Sequence, residues 1–238
     1  MADRPYVLLS AAMSVDGYLD DATHQRLILS SDEDLDRVDE VRANADAILV
    51  GATTIRRDNP WLRIRSAARR KARLARGELA DPVRVTITRS GNLDPAARFF
   101  TRSAPSETVL VYVPDSAAGD AAARLEGAAS VLEAGDPLSL PIVLADLAGR
   151  GVRRLLVEGG GTVHTQFLQA DLADELHLVV APVFVGDPAA PRLVGPGRYP
   201  HDAAHRMHLD STEQLGDVAL LRYLLPRSGG AADGQASR

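Results

Sequence analysis

The sequence contains no cysteine, and only 4% of its 238 residues are aromatic. The lack of cysteine excludes disulfides, thiolate zinc sites, iron–sulfur clusters and a cysteine nucleophile. No run approaches the roughly 18 apolar residues of a membrane span, and the first residues do not resemble a secretory signal. We therefore expect a soluble, cytoplasmic protein without a membrane partner, whose core is built mainly from Ala, Val, Leu and Ile.

The charge balance and the recognisable short motifs exclude several further classes of protein. Lysine and arginine number 27 against 32 acidic residues, so the net charge is −5, which is not typical of a dedicated nucleic-acid binder. The six histidines form no metal-binding pattern, and we predict no metal site. The sequence has neither the G-x-S-x-G elbow of a serine hydrolase nor the phosphate-binding loop of an NTPase.

Short apolar runs alternate with helical segments along most of the chain. This order predicts an α/β fold with a mainly parallel sheet covered by helices. The run Ser30-Ser31-Asp32 offers an N-cap for the first helix. Two C-terminal segments predict an antiparallel pair at the sheet edge, and we expect one domain over 1–226 with a disordered tail over 227–238. The predicted strands are 6–13, 47–51, 83–88, 108–113, 152–157, 175–181, 204–210 and 218–225, and the predicted helices are 33–44, 140–149 and 162–170.

Residues 63–76 contain seven basic side chains and no acidic one. Such a run is typical of a solvated surface helix. A patch that attracts a phosphorylated ligand or coenzyme is the alternative. Nucleic-acid binding is a third interpretation, which is disfavoured because no aromatic residue is interleaved for base stacking. The first two stay open at the level of sequence.

Three strand ends carry residues suited to binding a phosphorylated ligand. Gly51 ends a buried run and is followed by Thr53 and Thr54, where a helix start could seat a diphosphate. The run Gly159–Gly161 follows another strand, and such glycines let backbone amides lie against a phosphate or a planar ring. Arg89 and Ser90 follow a third strand and could clamp the 2′-phosphate that distinguishes NADP from NAD. Each stretch also has a purely structural interpretation, an ordinary turn between a strand and the next element.

Three segments together resemble a known family: SAAMSVDGYL (10–19), VRANADAILVGATTIRRDNPWLRIR (41–65) and LLVEGGGTVHTQFLQADLADELHLVVAPVFVG (155–186). The family is the reductase of riboflavin biosynthesis, the RibD C-terminal domain, which in many proteins is joined to a deaminase. The stand-alone actinobacterial members look most similar. The resemblance implies a dihydrofolate-reductase-like three-layer sandwich, with a mostly parallel sheet, helices on both faces and an antiparallel C-terminal edge. It also implies a homodimer.

The resemblance implies an NADPH-dependent oxidoreductase that acts on a small phosphorylated pyrimidine. The reaction would convert 5-amino-6-(5-phosphoribosylamino)uracil to its ribityl form by hydride transfer to ribose C1′. Because no deaminase segment is present, we expect no deamination. A reductase of dihydrofolate or another pterin or imine on the same fold is the alternative, although Tyr18-Leu19-Asp20 replaces the Leu-Pro-Trp segment of dihydrofolate reductases. A non-catalytic coenzyme-binding protein is the third hypothesis.

The same resemblance and the strand-end glycines give the expected site residues. Carboxyl groups that could supply the proton are Asp58 and Glu158, and bound water is an equal alternative. The expected coenzyme contacts are Ala12, Gly51, Thr54, Asp58, Arg89, Ser90, Gly159, Gly160, Gly161, Thr162, Val163 and His164, with the loop continuing to Gln166. The expected substrate contacts are Arg42, Leu62, Arg65 and Glu158, and a looser match adds Arg26 and Ile28.

Overall fold

The computed structural model describes residues 4–23, 27–102, 104 and 106–227. The expected position of Arg26 and the expected tail beyond residue 227 lie outside these residues. The strands are β1 (Tyr6–Ser14), β2 (Ala47–Gly51), β3 (Val83–Ile87), β4 (Val109–Val113), β5 (Ser130–Glu133), β6 (Arg154–Gly159), β7 (Glu175–Ala181), β8 (His208–Leu215) and β9 (Val218–Leu224). The helices are α1 (Asp32–Ala43), α2 (Ala52–Asp58), α3 (Ala67–Ala75), α4 (Ala118–Arg124), α5 (Leu140–Gly149) and α6 (Gly161–Gln169).

The nine strands form one sheet in the order β5-β4-β3-β2-β6-β1-β7-β9-β8. β1 pairs in parallel with β6 on one side and with β7 on the other. β9 runs antiparallel to both of its neighbours, β7 and β8. The predicted α/β class, the mainly parallel sheet and the antiparallel C-terminal edge are therefore confirmed.

Alternate residues of the central strands pack into two separate apolar layers. Leu49 of β2 belongs to one layer with Val157 of β6, Leu147 of α5 and Phe167 of α6. The neighbouring residue Ile48 belongs to the other layer, which contains side chains of α2 and α4. Because both faces of these strands are buried, the strands are nearly continuous apolar runs in the sequence. Helices on both faces make the three-layer sandwich that the resemblance implies.

Local sequence fixes where α1 begins. The Ser31 hydroxyl accepts a hydrogen bond from the backbone N–H of Asp34 at 3.1 Å, so the N-cap lies within the predicted run Ser30-Ser31-Asp32. Three acidic residues in the first turn add a favourable interaction with the helix dipole. The predicted helices 33–44, 140–149 and 162–170 agree with α1, α5 and α6 to within one residue at each end.

The C-terminal pair was only partly predicted. The first strand of the pair is His208–Leu215, not 204–210, while β9 lies where it was expected. β8 lies at the edge of the sheet and exposes most of its side chains, so its sequence carries no apolar alternation to mark its bounds. β5, the opposite edge strand, is also partly exposed and was not predicted.

The basic run 63–76 is neither a freely solvated face nor part of the large cleft described below. Arg63 pairs with Glu107 at 2.6 Å. Arg69 of α3 bridges to Asp36 and Asp39 of α1. Other basic side chains of the run pair with Asp81 and Glu78.

Arg73 corrects the prediction of a solvated helix most directly, because it is 3% exposed. Its guanidinium donates to the backbone carbonyls of Ala43, Ala45 and Leu79. The run therefore fastens α3 onto α1 and onto the segment that follows α3. Among the described residues, no helix is both long and apolar enough to cross a membrane.

Candidate active site

A cleft of about 1460 Å³ opens at the carboxyl ends of the central strands. Its walls include Ala12 on β1, Gly51 at the end of β2, Arg89 after β3 and Glu158 on β6. One face of α1 closes it. Ligands of open α/β sheets bind at this edge, where successive strands lead into their helices.

Two helix starts face each other across this edge because β2 and β6 are neighbours. α2 begins directly after Gly51, and α6 begins after Gly160. The first N–H groups of a helix have no acceptor within the helix, and the helix dipole is positive there. A Cβ atom on Gly160 would lie 3.2 Å from the Thr54 hydroxyl, which shows how closely the two turns approach. The arrangement is suited to a diphosphate.

Gly51, Gly160 and Gly161 are glycines for different structural reasons. Gly160 has φ +89°, a conformation that other residues rarely adopt. A Cβ atom on Gly161 would lie 2.2 Å from the carbonyl oxygen of Arg192, so the chain itself occupies that space. A Cβ atom on Gly51 would lie 2.8 Å from the Val163 side chain, because α6 packs closely on β2. Close packing within the protein thus accounts for Gly51 and Gly161, whereas Gly160 shapes the turn.

Arg56 on α2 and Arg89 after β3 are two cations of the cleft wall. Among the described residues, neither guanidinium has a carboxylate partner, whereas Arg37, Arg42 and Arg57 on the same cleft are each paired with one. Arg56 donates only to neutral acceptors, the carbonyl of Asn92 at 3.3 Å and the hydroxyl of Thr53 at 3.4 Å. Ser90 and Ser116 lie on the same wall. Cations without acidic partners, placed beside hydroxyls, are suited to binding a phosphate group.

The opposite wall carries an ion pair between α1 and β6. Arg42 donates to both carboxylate oxygens of Glu158, at 2.6 and 2.5 Å, and to the carbonyl of Arg63. Burial opposes the charged form of Arg42, but Glu158 outweighs it and raises the pKa of the guanidinium. Two residues expected to contact the substrate therefore hold each other in place. The bidentate geometry fixes the plane of the Arg42 side chain.

A chain of polar side chains runs from the N-terminal end of α1 to β7. Asp34 accepts from Arg37 Nε at 2.7 Å, and Arg37 Nη1 lies 3.1 Å from His177 Nδ1. His177 Nε2 lies 2.6 Å from Glu175, which also accepts from the Tyr6 hydroxyl. Because Nδ1 faces a guanidinium and Nε2 faces a carboxylate, the imidazole accepts at Nδ1 and donates at Nε2. This hydrogen bond from His177 holds the pKa of Glu175 below its usual range, against the effect of burial.

His164 lies on α6 with 1% of its surface exposed. Among the described residues, neither ring nitrogen has a hydrogen-bond partner. Burial lowers its pKa to about 4, and the polar backbone of Val157 opposes this shift without reversing it. The ring is therefore neutral at physiological pH.

The cleft brings together most of the residues that the sequence predicts. Leu62 and Arg65 do not line it: Leu62 is buried in an apolar layer with φ +45°, and the Arg65 guanidinium is exposed and donates to the Leu35 carbonyl. The predicted residues on the wall are Ala12, Ile28, Arg42, Gly51, Thr54, Asp58, Arg89, Ser90, Glu158, Gly159, Gly160, Gly161, Thr162, Val163, His164 and Gln166.

Sequence reasoning missed Asp34, Arg37, Arg56 and Arg192, which also line the cleft. For Asp34 a signal was available. Asp34, Val38 and Arg42 recur every four residues, so they lie on one face of α1. For the other three residues no spacing in the sequence marks the contact.

Comparison with known proteins places the chain in a family. The family model described as the RibD C-terminal domain matches residues 5–221. A relative from Methanothermobacter thermautotrophicus, named 2,5-diamino-6-ribosylamino-4(3H)-pyrimidinone 5′-phosphate reductase, is 36% identical over 222 residues, which cover 92% of this chain and 98% of that protein.

Solved structures of similar proteins share the fold. Acinetobacter baumannii RibD superposes with a TM-score of 0.76 at 26% identity, over 95% of this chain and 59% of that one. A pyrimidine reductase-like protein from Corynebacterium diphtheriae also has a TM-score of 0.76, at 23% identity, over 94% of this chain and 92% of that one. The sequence match over nearly the whole chain, together with this architecture, shows that the chain belongs to the RibD C-terminal domain family, the reductases of riboflavin biosynthesis.

Proposed function

We propose that this chain uses NADPH to reduce the ribosylamino group of a ribosylaminopyrimidine 5′-phosphate to a ribitylamino group. The observation that carries the proposal is that the end of β6 contributes adjacent residues to both walls of a single cleft. Glu158 fixes Arg42 on the substrate side, and the next residues, Gly159 and Gly160, begin the turn on the coenzyme side. The uracil form is the substrate implied by resemblance, and the diamino form is the one in the name of the Methanothermobacter relative.

The coenzyme supplies a hydride when bound, and this chain's residues fit it. The turns at Thr54 and Gly160 would hold the diphosphate with backbone N–H groups and the threonine hydroxyl. Arg89, Ser90 and Arg56 would bind the 2′-phosphate, which is why we propose NADPH rather than NADH. Ala12 on β1 has a small side chain and would leave room for the nicotinamide ring against the strand.

On the substrate side, Arg42 would bind the 5′-phosphate through the N–H groups that neither Glu158 nor the Arg63 carbonyl engages. Arg65 would assist from just behind the wall, because its guanidinium is exposed and reaches the carbonyl of Leu35, which lines the cleft. Leu62 is buried, so it would act by shaping the loop between α2 and α3.

The reaction also needs a proton at the ribose end of the substrate. Glu158 accepts two hydrogen bonds from Arg42, so we assign it to holding that guanidinium. Asp58 lies at the end of α2 on the cleft wall and is the carboxyl group that we propose as the proton source. Enclosure of both reactants in one cleft supplies the orientation that hydride transfer requires.

The test follows NADPH oxidation by the purified protein with each ribosylaminopyrimidine phosphate and with dihydrofolate. We expect turnover with a pyrimidine and little with dihydrofolate. Turnover of dihydrofolate alone would favour the pterin alternative, and coenzyme binding without any turnover would favour a binding protein. Light scattering measures whether the chain is the expected homodimer.

An Arg89→Ala variant tests the coenzyme assignment. Loss of a charge-assisted contact to phosphate should raise the KM for NADPH by about 10-fold, at roughly 1.4 kcal/mol, and leave the KM for NADH unchanged. Arg124→Ala on the exposed side of α4 is the matched control. Equal effects on both coenzymes would show that Arg89 does not contact the 2′-phosphate.

A further inference from the structure

Asp34 is a buried carboxylate on the cleft wall with one oxygen unused. It is the third residue of α1 and is 1% exposed. Its Oδ1 accepts from Arg37, but its Oδ2 has no hydrogen-bond partner in the part of the chain that the structure describes. Of the buried side-chain atoms that lack a partner among the described residues, only those of Asp34 and His164 belong to residues that line the cleft.

The surroundings hold Asp34 in this position. Its backbone N–H is bonded to the Ser31 hydroxyl at the start of α1. Arg37 lies between Asp34 Oδ1 and His177, which itself contacts Glu175, and it makes no hydrogen bond to Oδ2. A buried acceptor without a donor is unfavourable, and a ligand that brings N–H groups to this wall removes the penalty.

The two candidate pyrimidines differ in what they offer a carboxylate. In the 2-amino-4(3H)-pyrimidinone ring, N3–H and the 2-amino group form two adjacent donors. In the uracil ring a carbonyl oxygen replaces the 2-amino group, so its lone pairs would face the carboxylate. An ionised carboxylate only accepts hydrogen bonds. Asp34 therefore complements the amino form and disfavours the uracil form.

The position of Asp34 on α1 agrees with this role. Asp34 and Arg42 lie on one face of the helix, eight residues and about 12 Å apart along its axis. A substrate whose phosphate lies at Arg42 would extend along α1 and bring its ring toward Asp34. Arg37 and Val38 line the cleft between these two ends.

We propose that Asp34 reads the N3–H and 2-amino edge of the pyrimidine, which makes 2,5-diamino-6-ribosylamino-4(3H)-pyrimidinone 5′-phosphate the preferred substrate over its uracil counterpart. The proposal rests on the proposed function of the cleft. It also sets an order of reactions, in which hydrolytic deamination of the ring acts on the reduced product.

The test measures kcat/KM of the full chain for both pyrimidines with NADPH. We expect the wild-type protein to prefer the diamino form by roughly 10- to 100-fold, the range of one buried hydrogen bond gained or lost. Asp34→Asn presents an amide that can donate to the uracil carbonyl, and its preference should fall to within a few-fold of unity. The ratio is taken within one protein preparation, so partial loss of folded protein cancels. Asp36→Asn, on the exposed side of the same helix, should keep the wild-type ratio.

Equal kcat/KM values in the wild-type protein, or an unchanged ratio in Asp34→Asn, would overturn the assignment of Asp34 and leave the reductase function standing. If turnover is absent, calorimetric Kd values for the two pyrimidines, measured with NADP⁺ present, test the role of Asp34 separately from the reductase function. Tighter binding of the diamino form that Asp34→Asn abolishes would support the role of Asp34 without turnover. Failure to bind either pyrimidine would contradict both.

Discussion

The neutral, buried imidazole of His164 makes the stability of this protein depend on pH. An unfolded histidine has its ordinary pKa of about 6.5, whereas burial lowers the pKa of His164 in the folded chain to about 4. Between these values the unfolded state binds a proton that the folded state does not. The free energy of unfolding therefore falls as the pH drops below about 6.5 and continues to fall until about pH 4.

The size of the effect follows from the same shift. A difference of about 2.5 pH units at 1.36 kcal/mol per unit gives an upper bound of roughly 3 kcal/mol, of which about 2 kcal/mol is lost between pH 6.5 and 5. His164→Leu replaces the ring with an apolar side chain that cannot be protonated. We expect the variant to lose about 2 kcal/mol less than the wild-type protein over this interval.

Urea unfolding followed by circular dichroism at pH 7, 6 and 5 measures the difference. Carboxylates that also titrate in this range contribute equally to both proteins, so they cancel in the comparison. His205→Gln removes a histidine whose side chain is 71% exposed, and it should keep the wild-type slope. Parallel stability curves for the wild-type protein and His164→Leu would refute the reasoning.

Two further predictions concern the packing around the cleft. Gly161→Ala places a Cβ atom against the Arg192 carbonyl and should lower the free energy of unfolding by about 1–3 kcal/mol, whereas Gly119→Ala, with no atom within 4 Å, should leave it unchanged or raise it slightly. Arg73→Met removes the donor to the carbonyls of Ala43, Ala45 and Leu79, of which the Ala43 carbonyl keeps Arg76 as a donor, and should cost about 2–4 kcal/mol by urea unfolding, whereas Lys71→Met on the exposed side of α3 should have little effect. If Gly161→Ala were as stable as Gly119→Ala, or Arg73→Met as stable as Lys71→Met, the structural reason given for that pair of variants would be contradicted.

The parts of the fold that sequence could predict are those in which burial leaves a local pattern. β2 and β4 are buried along their whole length and stand out as apolar runs. The edge strands β5 and β8 are partly exposed, so β5 went unnoticed and β8 was placed too early. Edge strands are held by a neighbour on one side only, and little in their own sequence records that pairing.

The candidate site, like the fold, could be predicted from the sequence only in part. Glycines and hydroxyls at strand ends can be recognised locally, and the cleft contains the ones that were expected. The partners of the basic run could not be predicted, because Glu107 lies far from Arg63 in sequence. The sequence also could not predict that Oδ2 of Asp34 lacks a hydrogen-bond donor. That depends on which side chains the tertiary structure places beside it.

The position of β1 in the sheet has a consequence for synthesis of the chain. Both of its neighbours, β6 and β7, belong to residues 154–181, so β1 is synthesised well before it can pair with them. Until then a strongly apolar segment with two open edges must stay unpaired in the nascent chain. Contacts of such long sequence separation slow folding and expose edges to aggregation. Release of a chain truncated before residue 154 should therefore yield a protein that needs chaperones to stay in solution.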